Sequence, residues 1–112
     1  MTGTASPADG SVFLLVLTYT QPLEEIDALL PAHRRWLDEQ YSAGTFLASG
    51  PRVPRAGGVI LACGLGRDGL ATLVATDPFA EAGAAAYDIV EFQPNRGPLA
   101  GALLADRPPS TG

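Results

Sequence analysis

The chain is 112 residues long, enough for one ordinary domain and too short for two. At that length roughly two-thirds of the unfolded surface is buried on folding, so one core is possible without disulfides or a structural metal. The net charge is −5, lysine is absent, and the arginines stand singly or in pairs, so no clustered cationic face for nucleic acid is expected.

Residues 1–10 (MTGTASPADG) are small and polar, are broken by Pro7 and Gly10, and read as a flexible tail. They carry neither a basic nor an apolar region of the secretory type, so no signal peptide is expected. Ser11 to Thr20 is β-branched and apolar and predicts the first strand, with Val12, Leu14 and Val16 on one face and Phe13, Leu15 and Leu17 on the other. The apolar run Val12 to Leu17 is a strand's length, far below the ~20 residues of a membrane helix. From Leu23 to Ala43 the period becomes helical. Ile26, Leu30, His33, Leu37 and Tyr41 form one stripe, flanked by Leu29 and Trp36. Pro31 predicts a kink or a fresh start, and Gly44 a C-terminal cap.

Thr45 to Ser49 predicts a second strand closed by Gly50-Pro51, with Ser49 sharing a face with Thr45 and Leu47. The stretch RVPRAGG reads as a loop long enough for a flap. Gly58 to Cys63 predicts a third strand, apolar on both faces. Cys63 is the single cysteine, so no internal disulfide is possible, which fits a reducing cytoplasm. Asp68 to Ala75 predicts a short helix burying Leu70, Leu73 and Val74, stopped at Asp77-Pro78. Pro78 opens one more turn ending near Gly83, and Tyr87 to Phe92 predicts the fourth strand. A Gly- and Pro-rich tail follows, within which LAGALLA is left unassigned.

The order β-α-β-β-α-β defines an α+β, ferredoxin-like domain over residues 11–94, with tails at 1–10 and 95–112. Two helices cover one face of four strands. The apolar second face of strands one and three then calls for a second copy, sheet against sheet, in a twofold homodimer.

His33 is the only histidine, and it sits on the apolar helix stripe. A packed neutral imidazole would give the same pattern; the functional alternative is a general acid or base with a pKa near working pH. Asp77 before Pro78 reads as a helix N-cap, and an aspartate so fixed can also hold a histidine tautomer. Ser49 reads as a turn residue or as a hydrogen-bond donor to a ligand; no G-x-S-x-G elbow supports it as a nucleophile. Gly64, Gly66 and Gly69 spell G-x-G-x-x-G with Asp88 downstream, but a dinucleotide site needs a parallel βαβ unit and a second half, which the chain lacks. One histidine and one distant cysteine do not make a zinc site, and neither Asp38 nor Asp77 adds a spacing that argues for one. No metal and no cofactor are expected.

The segments LLPAHRRWLDEQYSAG, LASGPR, GGVILA and DPFAEAG, in this order from about Val12 to Phe92, resemble the YciI-like (YCII-related domain) family. The resemblance implies a dimeric ferredoxin-like α/β barrel. It also implies an acid–base pair, which falls here on His33 in PAHR and Asp77 in DPF. Ser49, Gly50 and Arg52 are carried over as pocket-lining, substrate-binding residues. One branch of the family resembles a dehydrochlorinase acting on a chlorinated hydroxyquinol. The expected function is cofactor-independent, lyase- or isomerase-like proton transfer on a small aromatic or carbonyl-bearing molecule. The alternative is a non-catalytic small-molecule-binding or dimerisation module of the same fold.

Overall fold

The alternation of Val12–Tyr19 between fully and partly buried residues makes it β1, the central strand around which the rest assembles. The computed structural model describes residues 11–104; the expected tail at 1–10 and the end of the C-terminal tail lie outside them. The helical stripe becomes α1 (Leu23–Ser42), with Glu24 and Glu25 in its first turn, where the helix dipole favours negative charge. Gly44, at φ 82°, ends it: its N–H reaches the Tyr41 carbonyl and that of Thr45 reaches Gln40, a Schellman closure. The helix does not restart at Pro31, which faces solvent. Burial of Ile26 on one side of it and of His33 and Trp36 on the other holds both halves on the sheet. The stripe is centred nearer Trp36 than expected, so Trp36 is buried while Tyr41 is 37% exposed.

Strand β2 (Phe46–Pro51) runs on through Gly50 and Pro51 instead of closing there. It is an edge strand paired only with β3 (Gly57–Ala62), and an edge tolerates a proline that cannot donate. A register irregularity between Phe46 and Ala48 shifts the alternation, so Ser49 shares the helix-covered face with Phe46, not with Thr45 and Leu47. Helices α2 (Arg67–Val74) and α3 (Pro78–Glu81) follow, then β4 (Ala85–Phe92). β4 begins two residues earlier than the apolar pattern suggests, because Ala85 and Ala86 pair with Tyr19 and Thr18. Ala100–Leu104, within the unassigned LAGALLA piece, is a short helix, α4.

The sheet order is β2-β3-β1-β4, and every pairing is antiparallel. Phe13, Leu15, Leu17, Ile60 and Ala62 face the helices and pack with Ile26, Trp36, Leu70, Val74 and Phe79 into one core. The opposite face carries Leu14, Val16, Val59 and Leu61, only partly buried, beside Val90 and Phe92, 47% and 41% exposed. The glycine pattern at Gly64, Gly66 and Gly69 lies between β3 and α2, a turn within a wholly antiparallel sheet. Gly64 has φ 88°, and a Cβ at Gly69 would lie 3.4 Å from the Leu65 side chain.

Candidate functional site

The site begins with a helix cap. Asp77 is in extended backbone geometry, Pro78 occupies the first helical position, and Asp77 Oδ1 accepts the Phe79 N–H at 3.0 Å. The cap residue is completely buried. From α1, the stripe delivers His33 to the same spot, and His33 Nδ1 lies 2.8 Å from Asp77 Oδ1. The two residues, 44 apart in sequence, therefore meet directly with no intervening water.

Aromatic packing fixes the imidazole plane. The His33 ring stacks on Phe79, with centroids 4.1 Å apart and planes 14° from parallel, and Trp36 lies 5.9 Å away on a second contact. Trp36 Nε1 donates to Thr76 Oγ1 at 2.9 Å, which clamps α1 to the residue just before Asp77. A third element closes the arrangement. The Tyr87 hydroxyl, from β4, donates to Asp77 Oδ2 at 2.5 Å. Burial and the adjacent carboxylate raise the Tyr87 phenol far above its ordinary range, so it stays protonated as the donor.

A carboxylate only accepts hydrogen bonds, so with Asp77 as the acceptor at this contact it is Nδ1 that carries the ring proton. Nε2 makes no hydrogen bond among the described residues. The His33 side chain keeps 11% exposure and lines a cleft of about 410 Å³ between α1 and the β2–β3–β1 part of the sheet. Leu17, Leu30, Leu37, Ile60 and Phe79 supply its apolar wall. Gly58 gives it floor space: its row partner is Leu17, and a Cβ there would come 3.2 Å from the Gly50 carbonyl oxygen. At the rim, Arg55 pairs with Asp27 at 2.5 Å, whereas Arg34 makes no ion pair among the described residues.

Of the sequence-derived candidates, His33, Ser49 and Gly50 line this cleft, and Asp77 sits behind His33. The Ser49 hydroxyl is hydrogen-bonded to Tyr41 Oη. Arg52 is not among the lining residues. Its guanidinium donates to the Leu17 carbonyl at 3.3 Å and to Thr18 Oγ1 at 3.0 Å, and Thr18 alternates onto the open sheet face with Leu14 and Val16. Sequence reasoning missed Tyr87, Phe79, Gly58 and Arg34. Gly58 had a signal, as a glycine opening an apolar strand; Tyr87 had none beyond its strand. Among the described residues, no group of three or more His, Cys, Asp or Glu side chains gathers to hold a metal ion. Among the described residues, no helix is long and apolar enough to cross a membrane.

A four-stranded antiparallel sheet in this order, covered by helices on one face, is the ferredoxin-like α+β fold, here with a buried aspartate behind a cleft-lining histidine. The chain belongs to the YCII-related domain family, whose model matches residues 12–93. Among solved structures it is similar to the 5-chloro-2-hydroxyhydroquinone dehydrochlorinase of Burkholderia phenoliruptrix AC1100, determined in complex with 2,5-dihydroxybenzoquinone. That likeness has a TM-score of 0.62 and 19% identity, covering 77% of this chain and 95% of the other. Among curated proteins, none matches the chain.

Proposed function

We propose that the protein is an acid–base enzyme acting on a small aromatic or carbonyl-bearing molecule, of lyase or isomerase type and needing no cofactor. The observation that carries this reading is the 2.8 Å contact between His33 Nδ1 and a fully buried Asp77, with the ring at the wall of an open cleft. His33 Nε2 takes a proton from the substrate, and Asp77 holds the tautomer and stabilises the imidazolium that forms. The proton returns at another position in an isomerisation. In an elimination it is lost together with a leaving anion, so no electrons enter or leave and no redox partner is required. The apolar wall and the Phe79 ring suit a planar substrate, the Ser49 hydroxyl suits a carbonyl or phenolic oxygen, and Arg34 at the rim suits an acidic substituent.

Two features support the rest of the reading. The apolar face of β1, β3 and β4 suits a homodimer formed sheet against sheet. A single cysteine suits a cytoplasmic setting.

The test uses the molecules named for the similar structure: 2,5-dihydroxybenzoquinone as a binding probe and 5-chloro-2-hydroxyhydroquinone as a substrate followed by chloride release. Wild-type protein is expected to bind the quinone and to show turnover of the chlorinated compound or of a related hydroxyquinone. His33→Ala is expected to lose roughly 10²–10⁴-fold in turnover while keeping its fold. Turnover by His33→Ala at the wild-type rate would overturn the acid–base role.

A further inference from the structure

Asp77 presents an unusual accounting. It is a fully buried carboxylate, and among the described residues it pairs with no arginine and faces only the His33 imidazole. Its charge therefore depends on hydrogen bonds. Oδ1 receives the Phe79 N–H, an obligatory donor, and faces His33 Nδ1. Oδ2 has one partner among the described residues, the Tyr87 hydroxyl. Tyr87 does not line the cleft, so it has no contact with a ligand there. Its ring lies on the helix-covered face, opposite Leu17 in the β1–β4 register, and packs against the core.

We infer that Tyr87 is a positioning residue: by donating to Asp77 Oδ2 it keeps the carboxylate ionised and its other oxygen on His33 Nδ1, and so selects which ring nitrogen offers a lone pair to the cleft. Its importance for turnover rests on the acid–base reading above; its effect on the imidazole does not. Without the hydroxyl, Oδ2 is a buried charged oxygen with no donor, a state that low dielectric strongly disfavours. The group relaxes either by taking up a proton or by turning. Either change lets Nδ1 act as an acceptor and sends the ring proton to Nε2, the tautomer that cannot accept a proton from a substrate. The phenol is suited to the task because burial and the Asp77 carboxylate raise its pKa and so keep it a donor.

The chain has one histidine, so a histidine-selective ¹⁵N spectrum reads His33 alone. Wild-type protein is expected to show the Nδ1–H form with an unprotonated Nε2. Tyr87→Phe, which keeps the ring and removes only the hydroxyl, is expected to raise the Nε2–H population at least about tenfold. A folded Tyr87→Phe protein with the wild-type tautomer ratio would overturn the inference. If that variant does not fold, the wild-type Tyr87 hydroxyl proton decides. A resolved, slowly exchanging resonance that responds to Asp77→Asn supports the inference, and its absence overturns it. In turnover, Tyr87→Phe should lower kcat several-fold or more with KM within about twofold. A tautomer shift in Tyr87→Phe alongside full activity in His33→Ala would sink the acid–base reading and leave this inference standing. The converse result would sink only the inference.

Discussion

At the scale of single residues, Asp77 is the most heavily committed side chain. It caps α3, faces His33 and accepts from Tyr87 while fully buried. Asn is close to isosteric but uncharged, so Asp77→Asn should keep the fold. It would leave the imidazolium unsupported and lower turnover by roughly 10²–10⁴-fold, measured under saturating substrate. Asp77→Ala should cost about 3–5 kcal/mol in a denaturant titration, since it leaves the Phe79 N–H and the Tyr87 hydroxyl buried without their acceptor. Tyr87 adds an alkaline dependence to stability. Its phenol titrates near 10 when unfolded and far higher when folded, so the unfolded chain releases that proton first. Its contribution is complete below pH 10 and is lost progressively as pH rises above it. Stability followed by circular dichroism should fall more steeply above pH 10 in wild-type protein than in Tyr87→Phe.

At the scale of elements, two backbone features govern how α1 and β3 sit. Pro31 lies inside α1 on its solvent side and takes away the hydrogen bond that the Asp27 carbonyl would accept. Pro31→Ala restores that bond in a residue well suited to helices, and should raise stability by about 1–3 kcal/mol in thermal or denaturant unfolding. Gly57 opens β3 where the chain runs against β1: a Cβ there would lie 1.9 Å from the Leu17 carbonyl oxygen. The contact is with backbone, so no rotamer relieves it. Gly57→Ala should cost more than about 3 kcal/mol and loosen the Arg52–Gly57 end of the hairpin, visible as lost amide protection.

At the scale of the whole molecule, the open face of the sheet is the surface on which the proposed homodimer would form. Leu61 and Val90 flank Leu14 in register across three strands, giving a continuous apolar row, with Val16 opposite Val59 beside it. If this face closes the proposed homodimer, Val90→Arg buries a cation between copies, and sedimentation should change from dimer to monomer at micromolar concentration. Val90 is 47% exposed in one copy, so the same substitution should alter monomer stability by about 0.5 kcal/mol or less. A wild-type monomer in the same experiment would refute the dimer.

Local chemistry was enough to write the elements from β1 to β4 down from sequence, though not α4. Period-2 and period-3.6 burial, the Asp77-Pro78 cap and the glycine stop after α1 are encoded by neighbours a few residues apart, and so His33 and Asp77 could be singled out before their geometry was known. Periodicity tells which face of an element is buried, not what it is buried against. The meeting of Tyr87 with Asp77, the stacking of Phe79 on His33 and the floor space at Gly58 arise only when β4, α3 and β3 pack beneath α1. Arg52 makes the same point from the other side. Ser49, Gly50 and Pro51 just before it line the cleft, but strand alternation carries its guanidinium to Thr18 on the opposite face. One residue of pleat decides the face, and the irregularity between Phe46 and Ala48 that sets the phase of β2 is a property of its pairing with β3, not of its own sequence.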